Sequence, residues 1–412
     1  AVGSGYTAVF IKINEVCCIM RFLSIVTGTS SDGADVSLIE LEGCGRGTRF
    51  KILKYSYYPY PNDLRSMMIH AASLNQVTSE FISRVHWELG RFLANSIVKD
   101  YEPSDYDVIV YSGYTVYHGP SLGRREYGTL QIGEASVLYA MTHKTVVYDF
   151  RTNDLASGGL GAPLIALSDA ILFGEGTLTI NIGGISNVTY VGEDCVIAFD
   201  TGPGNILINT LTELLYGEPY DKDGLHASRG RVIDKLLLDL MSDEYFSIPP
   251  PKNTGREYFG LSYVKSRVMP YLGEFSGDDL IRTVTRFTAE SIHDQVRRFV
   301  KGPIRGIIVG GGGSKNSVLM NDLRGLFSDV AEFRRFEDYG INDMAREGLG
   351  FAVIANETLH LRVGNTPATG GSPTLLGKII PGSNYRELVR QTLFNDRCDG
   401  FNPFKLTCGK VY

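Results

Sequence analysis

The segment Asp200-Thr201-Gly202-Pro203-Gly204-Asn205 follows the apolar run Val196 to Phe199. Such a run reads as a buried strand that delivers an aspartate into a Gly-Pro-Gly turn opening a helix. Carboxyl ends of strands face the ligand crevice of α/β folds. An aspartate there can take a proton from a water, or from a hydroxyl attacking a phosphoryl group. It can equally serve as the N-cap of the following helix. The local residues leave both readings open.

Three glycine turns stand beside strands as well. Gly28-Thr29-Ser30-Ser31-Asp32-Gly33 combines bare backbone N–H groups, hydroxyls and a carboxylate, which suits a phosphate. Its Asp32 could hold Mg²⁺ through water or meet a ligand hydroxyl; an ordinary polar hairpin is the plainer reading. Gly183-Gly184 lies inside Asn181 to Asn187, where the asparagines suit turn caps. Gly310 to Gly313, then Ser314-Lys315-Asn316, sits between a strand and a helix. Helix N-termini with bare backbone favour phosphate contact, although the Walker order of Gly-Lys-Ser/Thr is missing. Arg151 and Asp154 follow the strand run ending at Phe150, as cleft residues or as a salt-bridged loop. Glu347 lies in a helical stretch, and its spacing alone does not select it. None of the 7 histidines has metal-ligand spacing.

The elements that must position these residues repeat. Phe22–Val26, Ala34–Leu41 and Phe50–Tyr57 predict a β-meander broken by turn residues. Phe81, Ile82, Val85, Leu89, Phe92, Leu93 and Ile97 share one helical face, with Thr78 or Ser79 as cap. Short strands at Val108–Tyr111 and Thr145–Phe150 and a helix around 163–173 follow. The pattern then restarts with Thr177–Ile182, Ile185–Val191 and Cys195–Phe199, a helix over Ile281–Val300 and a strand at Arg305–Val309. This predicts two related α/β domains flanking a cleft, at 21–176 and 177–365. Residues 1–20 read as an N-terminal extension, and the Gly- and Pro-rich 366–412 as an irregular C-terminal one.

A length of 412 residues, 43% hydrophobic and 21% charged, fits a soluble two-domain protein. The net charge of −6 comes with no long basic run, which argues against a nucleic-acid partner. No run approaches the roughly 18 apolar residues of a membrane span. The 6 cysteines show no Cys-x-x-Cys pair, so free thiols in a reducing, cytoplasmic setting are expected.

Taken together, the segments from about Ile25 to Arg386 resemble the anhydro-N-acetylmuramic acid kinases and their relative levoglucosan kinase. Gly28 to Asp35, Thr129 to Gly133, Asp149-Phe150-Arg151, Gly161 to Leu164, Asn181 to Asn187 and Asp200 to Asn205 carry the likeness. So do Tyr220 to Gly224, Pro251 to Glu257 and Gly311 to Gly313, while Leu376 to Arg386 is similar to levoglucosan kinase in particular. The resemblance implies two ribonuclease-H-like, actin-type ATPase domains with mixed five-stranded sheets about a central cleft. It implies ATP and Mg²⁺ as cofactors, a small sugar as substrate, a homodimer, and Asp200 as the base that activates water. Asp32, Arg151, Asp154, Glu347, Ser112 and Tyr114 would then contact or organise the sugar. Gly28, Thr29, Ser30, Ser31, Gly33, Gly183, Gly184, Gly202, Gly311, Gly312, Gly313 and Asn316 would hold nucleotide. The family usually has His-Gly-Gln-Thr where this chain reads Ser112-Gly113-Tyr114-Thr115, and Gln where it has Leu160. An altered sugar preference, a silent ligand-binding protein and an ordinary hexose kinase are the readings these departures leave. Retention of Asp32, Asp200 and the glycines favours activity.

Overall fold

The computed structural model describes residues 19–28, 31–73, 76–122, 125–193, 195–393, 398 and 401–405. Thr29, Ser30 and all but the last two residues of the expected N-terminal extension lie outside them. The first strands are β1 (Ile19–Thr27), β2 (Gly33–Glu42), β3 (Arg49–Pro59), β4 (Val108–Tyr111), β5 (Tyr114–His118), β6 (Thr129–Ile132) and β7 (Thr145–Tyr148). They are followed by β8 (Thr177–Ile182), β9 (Ile185–Val191), β10 (Val196–Pro203), β11 (Gly306–Gly310), β12 (Phe333–Arg335) and β13 (Lys378–Ile380).

One sheet has the order β13-β7-β4-β1-β2-β3 and a second β10-β9-β8-β11-β12, with β5 and β6 paired separately. In each, an antiparallel meander (β1-β2-β3, β8-β9-β10) is extended from its first strand by two parallel strands. The parallel additions are β4-β7 in one case and β11-β12 in the other. The repeated pattern in the sequence is therefore a repeated topology, and the sheets are mixed α/β sheets. Strand β4 is buried along its whole length, as a parallel strand covered on both faces must be, which is why it reads as an unbroken apolar run.

Helix Ser79–Asp100 begins where expected: the Thr78 side chain accepts from Phe81 N at 3.1 Å. Its Val85, Leu89, Leu93 and Ile97 are wholly enclosed. The long helix of the second half spans Gly277–Phe299, four residues earlier than its apolar face suggests. Ser276 and Asp279 form a reciprocal capping box that starts it there. Helix Arg346–Leu359 packs on the first sheet, and one core joins its Leu349 and Val353 to Phe22, Val110 and Val147. That core also takes in Ile308 of β11 and Phe336, so the halves share packing and not only a linker.

Two expectations are corrected. The first sheet has six strands, not five, because β13 from the supposedly irregular tail pairs antiparallel with β7, Ile379 opposite Val147. A three-residue strand is too short to show periodicity, and what seats it is polar: Asn384 Oδ1 accepts from Thr145 N at 3.2 Å. The tail continues into helix Tyr385–Leu393. Secondly, Cys44 and Cys398 are not free thiols but a disulfide across 354 residues of chain, a pairing that spacing cannot reveal. No helix among the described residues is long and apolar enough to cross a membrane.

Because Ile354 is wholly enclosed in the shared core, Ile354→Ala should lower unfolding free energy by about 2–5 kcal/mol. Urea denaturation would read this, and a loss below about 0.5 kcal/mol would show that the helix is not integral to the sheet.

Candidate active site

Asp200 sits inside β10 and does not cap a helix; Asn205 occupies the cap position of helix Ile206–Tyr216. The cap reading is therefore excluded. Strand β10 carries a bulge against β9 between Asp200 and Gly202. A bulge re-aims a side chain at the end of a ladder. Thr201, on the other face, is buried with its Oγ1 2.7 Å from Ser186 Oγ, which fixes the turn. Gly202 takes φ +132°, where a side chain would be strained and would also press on the Phe246 ring.

The segment Lys252-Asn253-Thr254, which follows Pro249-Pro250-Pro251, then grips Asp200. Thr254 N donates to Asp200 Oδ2 at 2.9 Å, Asp200 N donates to Lys252 O at 3.3 Å, and Tyr245 OH donates to Asp200 O at 2.7 Å. Lys252 itself is buried, its Nζ 2.5 Å from Gln295 Oε1 and 3.1 Å from Tyr245 O. Burial pushes the Asp200 pKa up to about 7; Thr254 N–H opposes this, Glu257 adds to it, and Lys252 and Arg151 also oppose it. A carboxylate with that value is both available and basic at neutral pH.

Arg151 opens helix Arg151–Ala156 and donates from Nη1 to Gly161 O at 2.7 Å. Burial lowers its pKa, while the charges of Glu347, Asp154 and Asp200 act in the other direction. Glu347 starts helix Arg346–Leu359. It keeps solvent access, yet crowding by protein raises its pKa, with Arg151 opposing and Asp35 reinforcing the rise. Asp200, Arg151 and Glu347, from three elements, therefore share one electrostatic neighbourhood. Asp35, absent from the sequence-based set, joins it: its own pKa is raised by burial, against a hydrogen bond from Tyr55 OH. Asp35 could have been suspected from the Gly28 to Asp35 likeness, and Thr254 and Glu257 from the Pro251 to Glu257 likeness; Tyr245, whose hydroxyl donates to the Asp200 carbonyl, leaves no local signal.

Other expected residues turn inward. Asp154 has no exposed surface; its oxygens accept from Gly161 N, Asn365 Nδ2 and Thr369 Oγ1, each at 2.7 Å. It organises the loop behind Arg151 and is closed to a sugar. Ser31 and Tyr114 are both buried, with their hydroxyl oxygens 2.7 Å apart, so neither hydroxyl faces a ligand. Ser112 Oγ accepts from Thr27 N at 3.3 Å. Asn316 is the cap of helix Ser317–Leu326, accepting from Leu319 N at 3.1 Å. Asp32 is exposed at the β1–β2 turn beside Tyr57, whose pKa burial and Asp32 both raise. Gly28 is half-buried at the end of β1, and a Cβ on Gly33 would meet the Tyr57 ring at 2.5 Å.

The other glycine turns meet each other. Asn205 N donates to Gly183 O at 2.8 Å and Gly204 N to Gly184 O at 2.9 Å. A Cβ on Gly204 would collide with Gly183 O, and one on Gly311 would lie 2.7 Å from Ile182 O. Gly313 is likewise closed by the Ile182 side chain. Close chain approach thus accounts for several of these glycines. Gly184 has no protein atom within 4 Å of a Cβ position, and Gly312 only Asn205 Nδ2 at 3.4 Å. These two present open backbone.

A basic carboxylate backed by an arginine, beside turns of uncovered backbone on a mixed α/β fold, is the equipment of a kinase, a phosphotransferase with an alcohol acceptor. The family model for anhydro-N-acetylmuramic acid kinase matches residues 20–382. An anhydro-N-acetylmuramic acid kinase of Bacillus thuringiensis (strain Al Hakam) is 38% identical over 379 residues, 88% of this chain and 98% of its own. One from Bacillus cereus (strain 03BB102) is 38% identical, covering 87% and 99%. The chain belongs to this family: it is an ATP-using anhydrosugar kinase with a small-molecule sugar as substrate. Among solved structures, component A of Acidaminococcus fermentans (R)-2-hydroxyglutaryl-CoA dehydratase aligns with a TM-score of 0.44 and 13% identity, over 81% of this chain and 96% of that one.

Turnover that needs ionised Asp200 should rise with pH through about 7 and level off above it. Glu257→Gln removes a charge that raises this pKa, so its inflection should move to lower pH; a shift to higher pH would overturn the assignment. Gly204→Ala should fail to accumulate as folded protein, whereas Gly312→Ala should fold and raise KM for ATP by about tenfold, a loss of about 1.4 kcal/mol in binding. Thermal melts and ATP titrations distinguish the two.

Proposed function

We propose that this chain opens the 1,6-anhydro bridge of anhydro-N-acetylmuramic acid with water and phosphorylates the freed O6. In this reading Asp200 Oδ takes a proton from water as the water oxygen bonds to the anomeric carbon. The bond from that carbon to the bridging oxygen breaks, and O6 takes the γ-phosphoryl group of ATP, leaving ADP. The observation that carries it is Asp200: a carboxylate poised near neutrality, aimed by a bulge and held by Thr254 N–H. Arg151 and Glu347 orient the sugar opposite it. Gly184 and Gly312, with Gly28, Gly33 and the backbone of Gly183, Gly202, Gly311 and Gly313, line the nucleotide side.

Asp32 is exposed and carboxylic, and so suits a Mg²⁺ that keeps most of its waters and is shared with phosphate. When bound, that ion would neutralise phosphate charge. The repeated sheet topology supports two actin-type, ribonuclease-H-like domains at 21–176 and 177–365, with elements of the second segment returning to the first sheet.

A second reading, levoglucosan as the sugar, rests on the likeness of Leu376 to Arg386 to levoglucosan kinase. Coupled ADP assays with both anhydrosugars and glucose separate the possibilities. Release should depend on an anhydrosugar and fall by on the order of 10³-fold or more in Asp200→Asn. Asn keeps an acceptor for Thr254 N–H and removes the cost of a desolvated charge, so the variant should melt at or above wild type at alkaline pH. An early quench in ¹⁸O-water should place the label on the anomeric carbon. ATP-induced stabilisation without ADP release from any sugar would leave only a binding protein.

A further inference from the structure

Away from the cleft, the loop after β2, the end of helix Arg346–Leu359 and the C-terminal segment bring together Cys44, His360 and Cys398. Their ligand atoms all lie within 4.8 Å of one another. The two cysteines are joined, with Cα atoms 4.9 Å apart. His360 Nδ1 lies 2.8 Å from Asn356 O, and a carbonyl only accepts, so the ring proton sits on Nδ1. Nε2 then carries a lone pair, and it is buried with no hydrogen-bond partner among the described residues. Buried acceptors without partners are rare and need an explanation such as an ion. A disulfide has no proton to offer this nitrogen.

The surrounding segments are held independently of the sulfur bond. Gly45 N donates to Glu357 Oε1 at 2.8 Å, and Asn356 Nδ2 to Gly43 O at 3.0 Å. Arg362 bridges Glu357 Oε2 at 2.7 Å and Phe401 O at 2.7 Å. Breaking the disulfide would therefore release two sulfurs in place without scattering the three segments. An imidazole whose far nitrogen donates to a backbone carbonyl is also how histidine ligands of metals are commonly oriented.

We propose that reduced Cys44 and Cys398, with His360 Nε2, bind a thiophilic divalent cation of the Zn²⁺ class, and that the disulfide is the oxidised, metal-free form of this site. Reduction by two equivalents of a small thiol supplies two electrons and two protons and yields that thiol's disulfide. Metal binding then displaces both cysteine protons, leaving two thiolates, one imidazole and a position for water.

The test uses the full chain, reduced with a small thiol, exchanged anaerobically and titrated with Co²⁺ as the probe. A thiolate-to-cobalt charge-transfer band should saturate at about one ion per chain and be displaced by Zn²⁺. It should be absent from the oxidised protein, lost in Cys44→Ser and Cys398→Ser, and unchanged in Cys195→Ser. His360→Ala should weaken binding by at least the ~10–100-fold that follows loss of an outer hydrogen-bond partner. No band in the reduced wild type, whatever the variants do, would leave a disulfide clasp only and overturn the proposal. So would a band that survives Cys398→Ser, or wild-type affinity in His360→Ala.

Discussion

Everything at the candidate active site depends on keeping the Asp200 carboxylate short of water without leaving it isolated. Desolvation alone would protonate it permanently; a close cation alone would make it a weak base. The chain balances the two with one backbone donor, Thr254 N, and with the more distant positive charges of Lys252 and Arg151. Lys252 contributes twice, because its carbonyl receives Asp200 N while its ammonium is locked under Tyr245 and Gln295. The bulge in β10 then decides where the oxygens face. Moving any of these parts changes the basicity or the direction of the same group.

The glycine turns obey a different constraint. Three loops from separate strands converge at the ends of β8, β10 and β11, and their backbones approach so closely that Gly204, Gly311 and Gly313 have no room for a side chain. That convergence leaves Gly184 and Gly312 exposed on neighbouring loops with room at their Cβ positions. Preorganised N–H groups cost no reorganisation when anionic charge arrives. A glycine run in this fold therefore combines two functions that the letters do not distinguish: some residues permit the packing and others use it.

This is also where the sequence stops being legible. Strands, their duplication and the helix at Ser79–Asp100 follow from periodicity and caps, which are local properties. Asp200 could be placed at a strand end, but whether it capped a helix depended on how far β10 runs: it continues to Pro203, and the helix begins at Ile206 with Asn205 as its cap. Ser31 and Tyr114 carry the right chemistry in the right motifs and still face each other, 83 residues apart, because side-chain direction at a turn is decided by tertiary packing. Asp154 shows the same thing from the other side: a charged residue at a cleft edge is consumed by contacts with Asn365 and Thr369, over 200 residues away. Strand β13 and the Cys44–Cys398 pair are long-range by construction and have no local signature.

The neighbourhood of Arg151 shows why such burial is useful. The Arg151 guanidinium is influenced by the charges of Glu347, Asp154 and Asp200, and Asp35 adds a further negative influence on Glu347. Fully ionised, these carboxylates would repel an anionic ligand. Desolvation raises the pKa of Asp35, Asp200 and Glu347 alike, and for Asp200, pushed up to about 7, this leaves the carboxylate only partly ionised near pH 7. A carboxyl with that value exchanges readily between its neutral and charged forms near pH 7. Gly184 and Gly312, exposed and with room at their Cβ positions, offer backbone that could meet anionic charge without a counter-ion.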